Sequence, residues 1–189
     1  MKRSIESLVR EIKRRRPFGL LRTFGRDEGG LAAIEFALIA GTLSVALLNA
    51  VDVGIYAFKH MEVENAAQMG AQAAWKTCDT SHIPATTACP SMSAAVTQAV
   101  QATSLGTNVT IASGYPSEGW YCVNSAGALV YVSAAASKPS SCSSVGGTSA
   151  PGDYIVIQTS YTYAPIFPGI TVASAFATAM SKTTYMRLG

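Results

Sequence analysis

A long apolar segment near the N-terminal end of the sequence constrains its fold more than any other feature. Residues 36–51 include no charged side chain, and with the apolar residues on either side they form a segment of 28 residues, 31–58. An apolar helix of about 20 residues is enough to cross a bilayer. We therefore predict a transmembrane helix over residues 31–58. If the helix continues to Trp75, it would be about 67 Å long at ~1.5 Å per residue.

Two carboxylates interrupt this apolar segment, Glu35 one turn after its start and Asp52 toward its far end. A charge near the middle of a bilayer costs roughly 2.5–3.5 kcal/mol even on the mildest scale, so an ionisable residue there indicates a function by default. A plainer interpretation of Glu35 is a solvated carboxylate at a helix N-terminus, where negative charge is mildly favoured. For Asp52 we expect the side chain to extend to water at the membrane surface.

The charge of the chain is distributed unevenly around the apolar segment. Residues 1–30 hold nine Lys and Arg against four Asp and Glu, a balance of +5, whereas residues 31–189 hold five against seven, a balance of −2. A basic segment before a membrane span is kept in the cytoplasm, so the C-terminal domain is predicted to lie on the far side of the membrane. A nucleic-acid-binding arm is the alternative. The adjoining span and the acidic remainder disfavour it, and we expect no nucleic-acid partner.

Four cysteines lie beyond the apolar segment: Cys78, Cys89, Cys122 and Cys142. An even number of cysteines in an exported domain indicates disulfides in an oxidising compartment. Four cysteines allow three pairings, and sequence alone does not choose among them. We favour the two local loops, Cys78–Cys89 and Cys122–Cys142. Because no pair is spaced as CxxC, we expect no metal site.

The sequence contains no motif that would make the protein an enzyme. It has no GxSxG, no supported Ser/His/Asp order and no phosphate-binding glycine loop. We therefore expect no catalytic activity, no cofactor and no small-molecule substrate.

The second half of the chain has patterns typical of a small antiparallel sheet. Alternation is clearest in residues 153–163, where Ile155, Ile157, Tyr161 and Tyr163 would share one face. The residues from Ser133 to Ala150 are rich in Ser, Ala and Gly and are predicted to form an exposed loop anchored only by Cys142. The predicted elements are a loop at 76–90, a helix at 92–103, and strands at 108–112, 120–124, 128–133, 153–163 and about 177–187.

These elements predict an α+β fold in which a long N-terminal helix packs on a small antiparallel sheet. The predicted organisation is a basic leader (1–30), a transmembrane helix (31–58), its continuation in water (59–76) and a periplasmic α+β domain (77–189). Small residues recur every fourth position along the helix, which suits packing against sister helices or against the chain's own domain. They are Ala33, Ala37, Gly41, Ala46, Ala50, Gly54, Ala66, Gly70 and Ala74.

The start of the apolar segment, GGLAAIEFALI from Gly29, resembles the processing site of type IV prepilins. It is most similar to the TadE-like pseudopilins of the tight-adherence (Tad/Flp) pilus system. The segments ENAAQMGAQAA, YTYAPIFPG and TTYMRLG, at 64–74, 161–169 and 183–189, also resemble that family, and the fold expected from the resemblance is pilin-like. The middle of the chain, with the cysteines, is not covered.

This resemblance implies that a membrane prepilin peptidase cuts between Gly30 and Leu31. A glycine before the cut lets the backbone enter a tight cleft in extended form. The new amine on Leu31 and the carboxylate of Glu35 in a neighbouring subunit would each be costly alone in a bilayer and less so as a pair. Glu35 and Phe36 would thus act in assembly. The implied partners are the inner membrane, the peptidase and other pilins or pseudopilins, in a pilus used for surface adhesion.

Three alternatives remain open at the level of sequence. The chain could be an uncleaved single-pass scaffold of the same machinery. It could be a secreted, disulfide-bonded binding domain released by signal peptidase, although Leu48 is a poor residue two positions before a cut after Ala50. It could also be an exported enzyme whose site lies in the uncovered middle, where we find no acid–base pair.

Overall fold

A computed structural model describes residues 28–78 and 82–189 of the chain. The predicted basic leader therefore lies outside the described residues except for residues 28–30. The chain divides into two compact units, residues 1–48 and residues 49–189, and each is described by itself.

One helix, α1, Glu28–Thr77, contains 50 residues and belongs to both units. The predicted continuous helix over residues 31–75 is thus confirmed. Alanine and leucine, both strong helix formers, are frequent in α1, and proline does not occur in it. The hydroxyls of Thr42 and Ser44 donate hydrogen bonds to the carbonyls of Leu38 and Ala40, at 2.9 and 2.7 Å, so these polar groups are satisfied within the helix.

In the first unit, the large apolar side chains of α1 are exposed. By length and composition, the helix from Gly30 onward is able to cross a membrane. A bilayer is the environment in which such a surface is stable, since lipid tails are as apolar as the side chains themselves. The exposed side chains are Leu31, Ile34, Phe36, Leu38, Ile39, Leu43, Val45 and Leu47.

In the second unit, α1 buries a stripe of small residues in the core of the domain. An added Cβ on Gly70 would come within 2.8 Å of Cγ2 of Val100, so the neighbouring helix approaches α1 closely at this point. Of the two uses predicted for the small-residue stripe, packing against the chain's own domain is the one found here. Ala66 and Ala74 of the stripe are also buried, beside Val63, Ala67 and Ala71.

Five antiparallel strands form one sheet, as the α+β prediction requires. Strand β4 is central: it pairs with β5 on one side, and with β2 and β1 at different points along its length on the other. Strand β3 pairs with β2. The strands are β1 (Val109–Ile111), β2 (Ser117–Val123), β3 (Leu129–Ala134), β4 (Gly152–Thr162) and β5 (Ala179–Arg187).

Among its described residues, the second unit has two further α-helices: α2, Ala85–Ala88, and α3, Met92–Gln101. The same described residues include three short 3₁₀ helices, Gly106–Asn108, Ser143–Val145 and Val172–Ala175. The helix predicted at 92–103 is present and ends two residues earlier. Its buried face, with Val96 and Val100, joins the core formed by α1 and the inner face of β4, where Ile155 and Ile157 are fully buried. Alternation along β4 thus places the predicted apolar positions against the helices.

Both disulfides close local loops: Cys78 is joined to Cys89 and Cys122 to Cys142. The expectation that Cys142 alone anchors the long loop after β3 is wrong. The indole Nε1 of Trp120 also donates a 2.9 Å hydrogen bond to the carbonyl of Ala135, and Nζ of Lys138 lies 5.0 Å from the Trp120 ring centre. These contacts lie near the start of the loop, so it is held there as well as at Cys142.

Candidate functional site

The predicted processing site lies in the first turn of α1. The helix begins at Glu28, and the bond between Gly30 and Leu31 follows two residues later. Gly30 is exposed, and an added Cβ there would meet nothing within 4 Å. Packing within the described residues therefore does not require a glycine at position 30. At position 70 it does, because Val100 lies close to the helix backbone there.

The residues predicted to act in assembly follow on the same stretch of helix. Glu35 is four residues after Leu31, which places the two side chains on one face of α1, and both are exposed. Phe36 is also exposed. One turn further on, a shallow concave surface is lined by Ala37, Leu38, Gly41, Thr42 and Val45.

This exposed segment lies within the part of the chain that comparison with known proteins identifies. Residues 30–72 match the family model of TadE-like protein. The match includes Gly30, Leu31, Glu35 and Phe36 and confirms the resemblance to the TadE-like family over this range. It indicates a component associated with Tad pili and with a membrane. Neither the curated proteins nor the solved structures contain a match to the chain.

Toward the far end of the apolar segment, α1 carries a site that sequence reasoning did not find. The side chain of Asp52 is fully buried. Its Oδ1 accepts hydrogen bonds from the phenol of Tyr163 at 2.9 Å and from the backbone N–H of Ile166 at 3.0 Å, and its Oδ2 accepts one from the hydroxyl of Thr171. The expectation that Asp52 extends to water is therefore wrong. Three donors replace water, which is what makes burial of a carboxylate tolerable.

A second polar contact lies one turn before Asp52. The side-chain oxygen of Asn49 accepts a 2.8 Å hydrogen bond from the backbone N–H of Val172. Together, Asn49 and Asp52 hold the loop between β4 and β5 on this part of α1. Aromatic rings continue the contact: Tyr56 lies 5.1 Å from Tyr163 and 4.8 Å from Phe176, measured between ring centres.

A buried carboxylate without a hydrogen-bond partner occurs at the start of β4. Asp153 is fully buried, and neither of its side-chain oxygens is hydrogen-bonded within the described residues. Burial, reinforced by the nearby carboxylate of Glu118, raises the pKa of Asp153 to about 7. Glu118 accepts hydrogen bonds of 2.7 Å from the backbone N–H groups of Ala85 and Thr86 and from the Thr86 hydroxyl.

The other face of the sheet presents a cluster of tyrosines. Tyr121 makes edge-on contacts with Tyr131, Tyr154 and Tyr185, with ring centres 5.5 to 5.7 Å apart. Burial, and then the neighbouring phenols, raise the pKa of Tyr121. Since Tyr154 precedes the buried Ile155 on β4, strand alternation places the cluster on the face opposite the core.

Within residues 28–78 and 82–189, no three His, Cys, Asp or Glu side chains are grouped so that they could hold a metal ion. Of the two neighbouring carboxylates, Asp153 is buried, and Glu118 accepts hydrogen bonds from backbone N–H groups. The exposed apolar side chains of α1 in the first unit are available for contacts with a membrane or with other helices.

Proposed function

We propose that the chain is a TadE-like pseudopilin, a structural and assembly component of a tight-adherence pilus involved in surface adhesion. In this proposal a prepilin peptidase cuts between Gly30 and Leu31, and the chain acts as a substrate of that enzyme and not as an enzyme itself. The observation that carries the proposal is the match at residues 30–72, which begins at Gly30, the residue before the proposed cut.

The geometry of the first turn supports processing at this bond. The glycine at position 30 has open space around it, so its lack of a Cβ serves the peptidase cleft and not the fold. The bond lies two residues after Glu28, the first residue of α1 that the structure describes, and the helix around the bond has to unwind for the backbone to enter the cleft. The exposed side chain of Glu35, one turn further on, remains available to the new amine of a neighbouring subunit.

The proposed location is the bacterial inner membrane, with the N-terminus in the cytoplasm and the C-terminal domain in the periplasm. The basic residues before α1 favour this orientation. Both disulfides lie in the unit formed by residues 49–189, which suits an oxidising compartment. We further propose that the membrane-spanning part is residues 31–48, since Asn49 and Asp52 already belong to the folded domain.

The test is the intact mass and N-terminal sequence of the membrane-purified protein, expressed with and without a prepilin peptidase. A mature chain that begins at Leu31 only when the peptidase is present is the expected result. Gly30→Val should abolish the cut, because a branched side chain blocks the cleft, whereas Gly41→Val is the matched control and should be cut normally. Both glycines have open space around them, so neither variant creates a clash within the monomer.

Other outcomes distinguish the alternatives. An uncut chain in both strains would contradict the pseudopilin proposal and favour a single-pass scaffold of the same machinery. A chain beginning near Val51 would indicate a domain released by signal peptidase. The structure disfavours that release, because the cut would remove Asn49 and its hydrogen bond to Val172 and leave Asp52 at a frayed helix end.

A further inference from the structure

The loop between β4 and β5 exposes apolar side chains that nothing within the described residues covers. We call residues 164–172, APIFPGITV, the apolar loop. Ile166, Ile170 and Val172 are 53%, 59% and 59% exposed. No charged residue occurs anywhere from Tyr154 to Ser181. A contiguous exposed apolar surface on a folded domain indicates contact with another protein or with a membrane.

The position of the apolar loop is fixed by the start of the second unit. Asp52 accepts the backbone N–H of Ile166 and the hydroxyl of Thr171, and Asn49 accepts the backbone N–H of Val172. The loop also bonds to itself, since the carbonyl of Phe167 accepts the N–H groups of Ile170 and Thr171 at 3.2 and 3.3 Å. The apolar loop is therefore held beside the first two turns of helix that follow residue 48.

Those turns are the ones that emerge from a bilayer if residues 31–48 span it. Eighteen helical residues extend about 27 Å at ~1.5 Å per residue. The hydrocarbon core of a bilayer is about 30 Å thick. Asn49 would then lie at the boundary between hydrocarbon and headgroups, and the apolar loop, bonded to Asn49, would lie at the same depth.

We propose that the apolar loop inserts its exposed side chains into the lipid surface from which α1 emerges, as a second membrane contact. This inference rests on the proposed membrane span. The absence of charge in the loop fits lipid better than a water-facing role, because charged groups are the residues that hydrocarbon rejects most strongly. The buried carboxylate of Asp52 fits the same location, since its three donors lie within the chain and it needs no water.

The experiment uses the full chain reconstituted into phosphatidylcholine vesicles, with lipids brominated on the acyl chain as quenchers of tryptophan fluorescence. Ile170→Trp and Val172→Trp place a probe in the apolar loop. Tyr131→Trp, at a site of similar exposure (54%) on β3, is the matched control, and the unsubstituted chain gives the background of Trp75 and Trp120. Two loop variants are used, so that misfolding of one does not remove the test.

The expected result is quenching of the loop tryptophans at least threefold greater than that of the Tyr131→Trp probe. Equal quenching of the loop and control probes would overturn the proposal. Loop probes shielded from both brominated lipid and aqueous acrylamide would also overturn it, and would indicate that a second copy of the chain covers the loop.

A carbonate wash of the same vesicles separates this inference from the proposed function. If the chain remains in the vesicles but the loop probes are not quenched, the loop proposal fails and the membrane span stands. If the wash releases the chain, both the span and the loop contact fail.

Discussion

The phenol of Tyr163 donates a 2.9 Å hydrogen bond to the carboxylate of Asp52, although 111 positions separate them in the sequence. Asp52 lies on α1, toward the far end of the apolar segment, and Tyr163 follows the end of β4. The hydrogen bond therefore joins the segment after β4 to the part of α1 where the second unit begins. Burial, and then the hydrogen bond to Asp52, raise the pKa of Tyr163 to about 12, so the phenol remains a donor throughout the physiological range.

Removing this donor should weaken the domain without removing an aromatic ring. Tyr163→Phe removes one of the hydrogen bonds that the buried carboxylate of Asp52 accepts. Loss of a hydrogen bond to a buried charged group lowers the free energy of unfolding more than loss of most other hydrogen bonds. We expect the melting temperature of the full chain in nonionic detergent to fall by about 5 °C. The melting temperature is measured by thermal unfolding, followed by circular dichroism at 222 nm and by the near-UV signal of the tyrosines.

The matched control is Tyr161→Phe, two residues earlier on the same face of β4, where the ring is only partly buried. Its melting temperature should change by about 1 °C or less, as expected away from a buried hydrogen bond. Equal effects of the two substitutions would show that the bond to Asp52 contributes nothing specific.

A second prediction contrasts two glycines of the same helix. Gly70→Leu introduces atoms where Cγ2 of Val100 already lies within 2.8 Å of an added Cβ. Overpacking of this kind costs typically about 1–3 kcal/mol. We expect a lower urea midpoint for the folded domain. Gly41→Leu, with nothing within 4 Å, should leave that midpoint unchanged.

The same pair separates folding from association. Small residues let helices approach closely in lipid, so Gly41→Leu should reduce helix–helix cross-linking in membranes even though the fold is intact. If Gly41→Leu leaves cross-linking at the original level, the surface around Gly41 is not a contact between helices.

Part of this fold follows directly from sequence, because its signals are local. Sixteen uncharged residues, an alternating strand at Ile155 and Ile157, and short-range disulfide loops are all visible in neighbouring positions. The processing site at Gly30 stays a prediction from a short motif, and the family match over residues 30–72 begins at that glycine.

The environment of Asp52 could not be predicted in that way. A carboxylate near the end of an apolar segment looks the same in sequence whether it faces water or three buried donors. Its partners Tyr163 and Thr171 lie in a loop more than one hundred residues away, and only the tertiary fold brings them together. The unpartnered Asp153 was missed for the same reason, because its burial arises from strand pairing.

Asp153 gives the third prediction, a dependence of stability on pH. Its pKa is about 7 in the folded domain against an ordinary value of 3.8. The folded state therefore holds a proton that the unfolded chain releases above about pH 4. The contribution of the Asp153 carboxyl to the free energy of unfolding is fully present below about pH 4. It is lost as the pH rises through 7.

Asp153→Asn removes the titrating group while keeping its size. We expect the urea midpoint of this variant, relative to that of the original chain, to be higher at pH 8 than at pH 5. Gln158→Asn, on the same strand at a half-buried position, is the control and should show no such shift. A difference that is the same at both pH values would contradict a raised pKa at Asp153.

The last prediction concerns Glu35, whose exposed carboxylate lies on the same face of α1 as Leu31. If Glu35 pairs with the new amine of a neighbouring subunit, Glu35→Gln should still be cut after Gly30 but should assemble poorly, because an unpaired amine in lipid is costly. Glu64→Gln, at a half-exposed carboxylate 3.6 Å from Nζ of Lys182, is the control for loss of a helix carboxylate within the folded domain. N-terminal sequencing measures the cut, and the amount of protein in sheared pilus fractions or cross-linked complexes measures assembly. We expect Glu35→Gln to lower the assembled fraction at least tenfold and Glu64→Gln to leave it within twofold. Normal assembly of a cleaved Glu35→Gln chain would mean that the carboxylate is a solvated group at the helix start, where it contributes only its favourable interaction with the helix dipole.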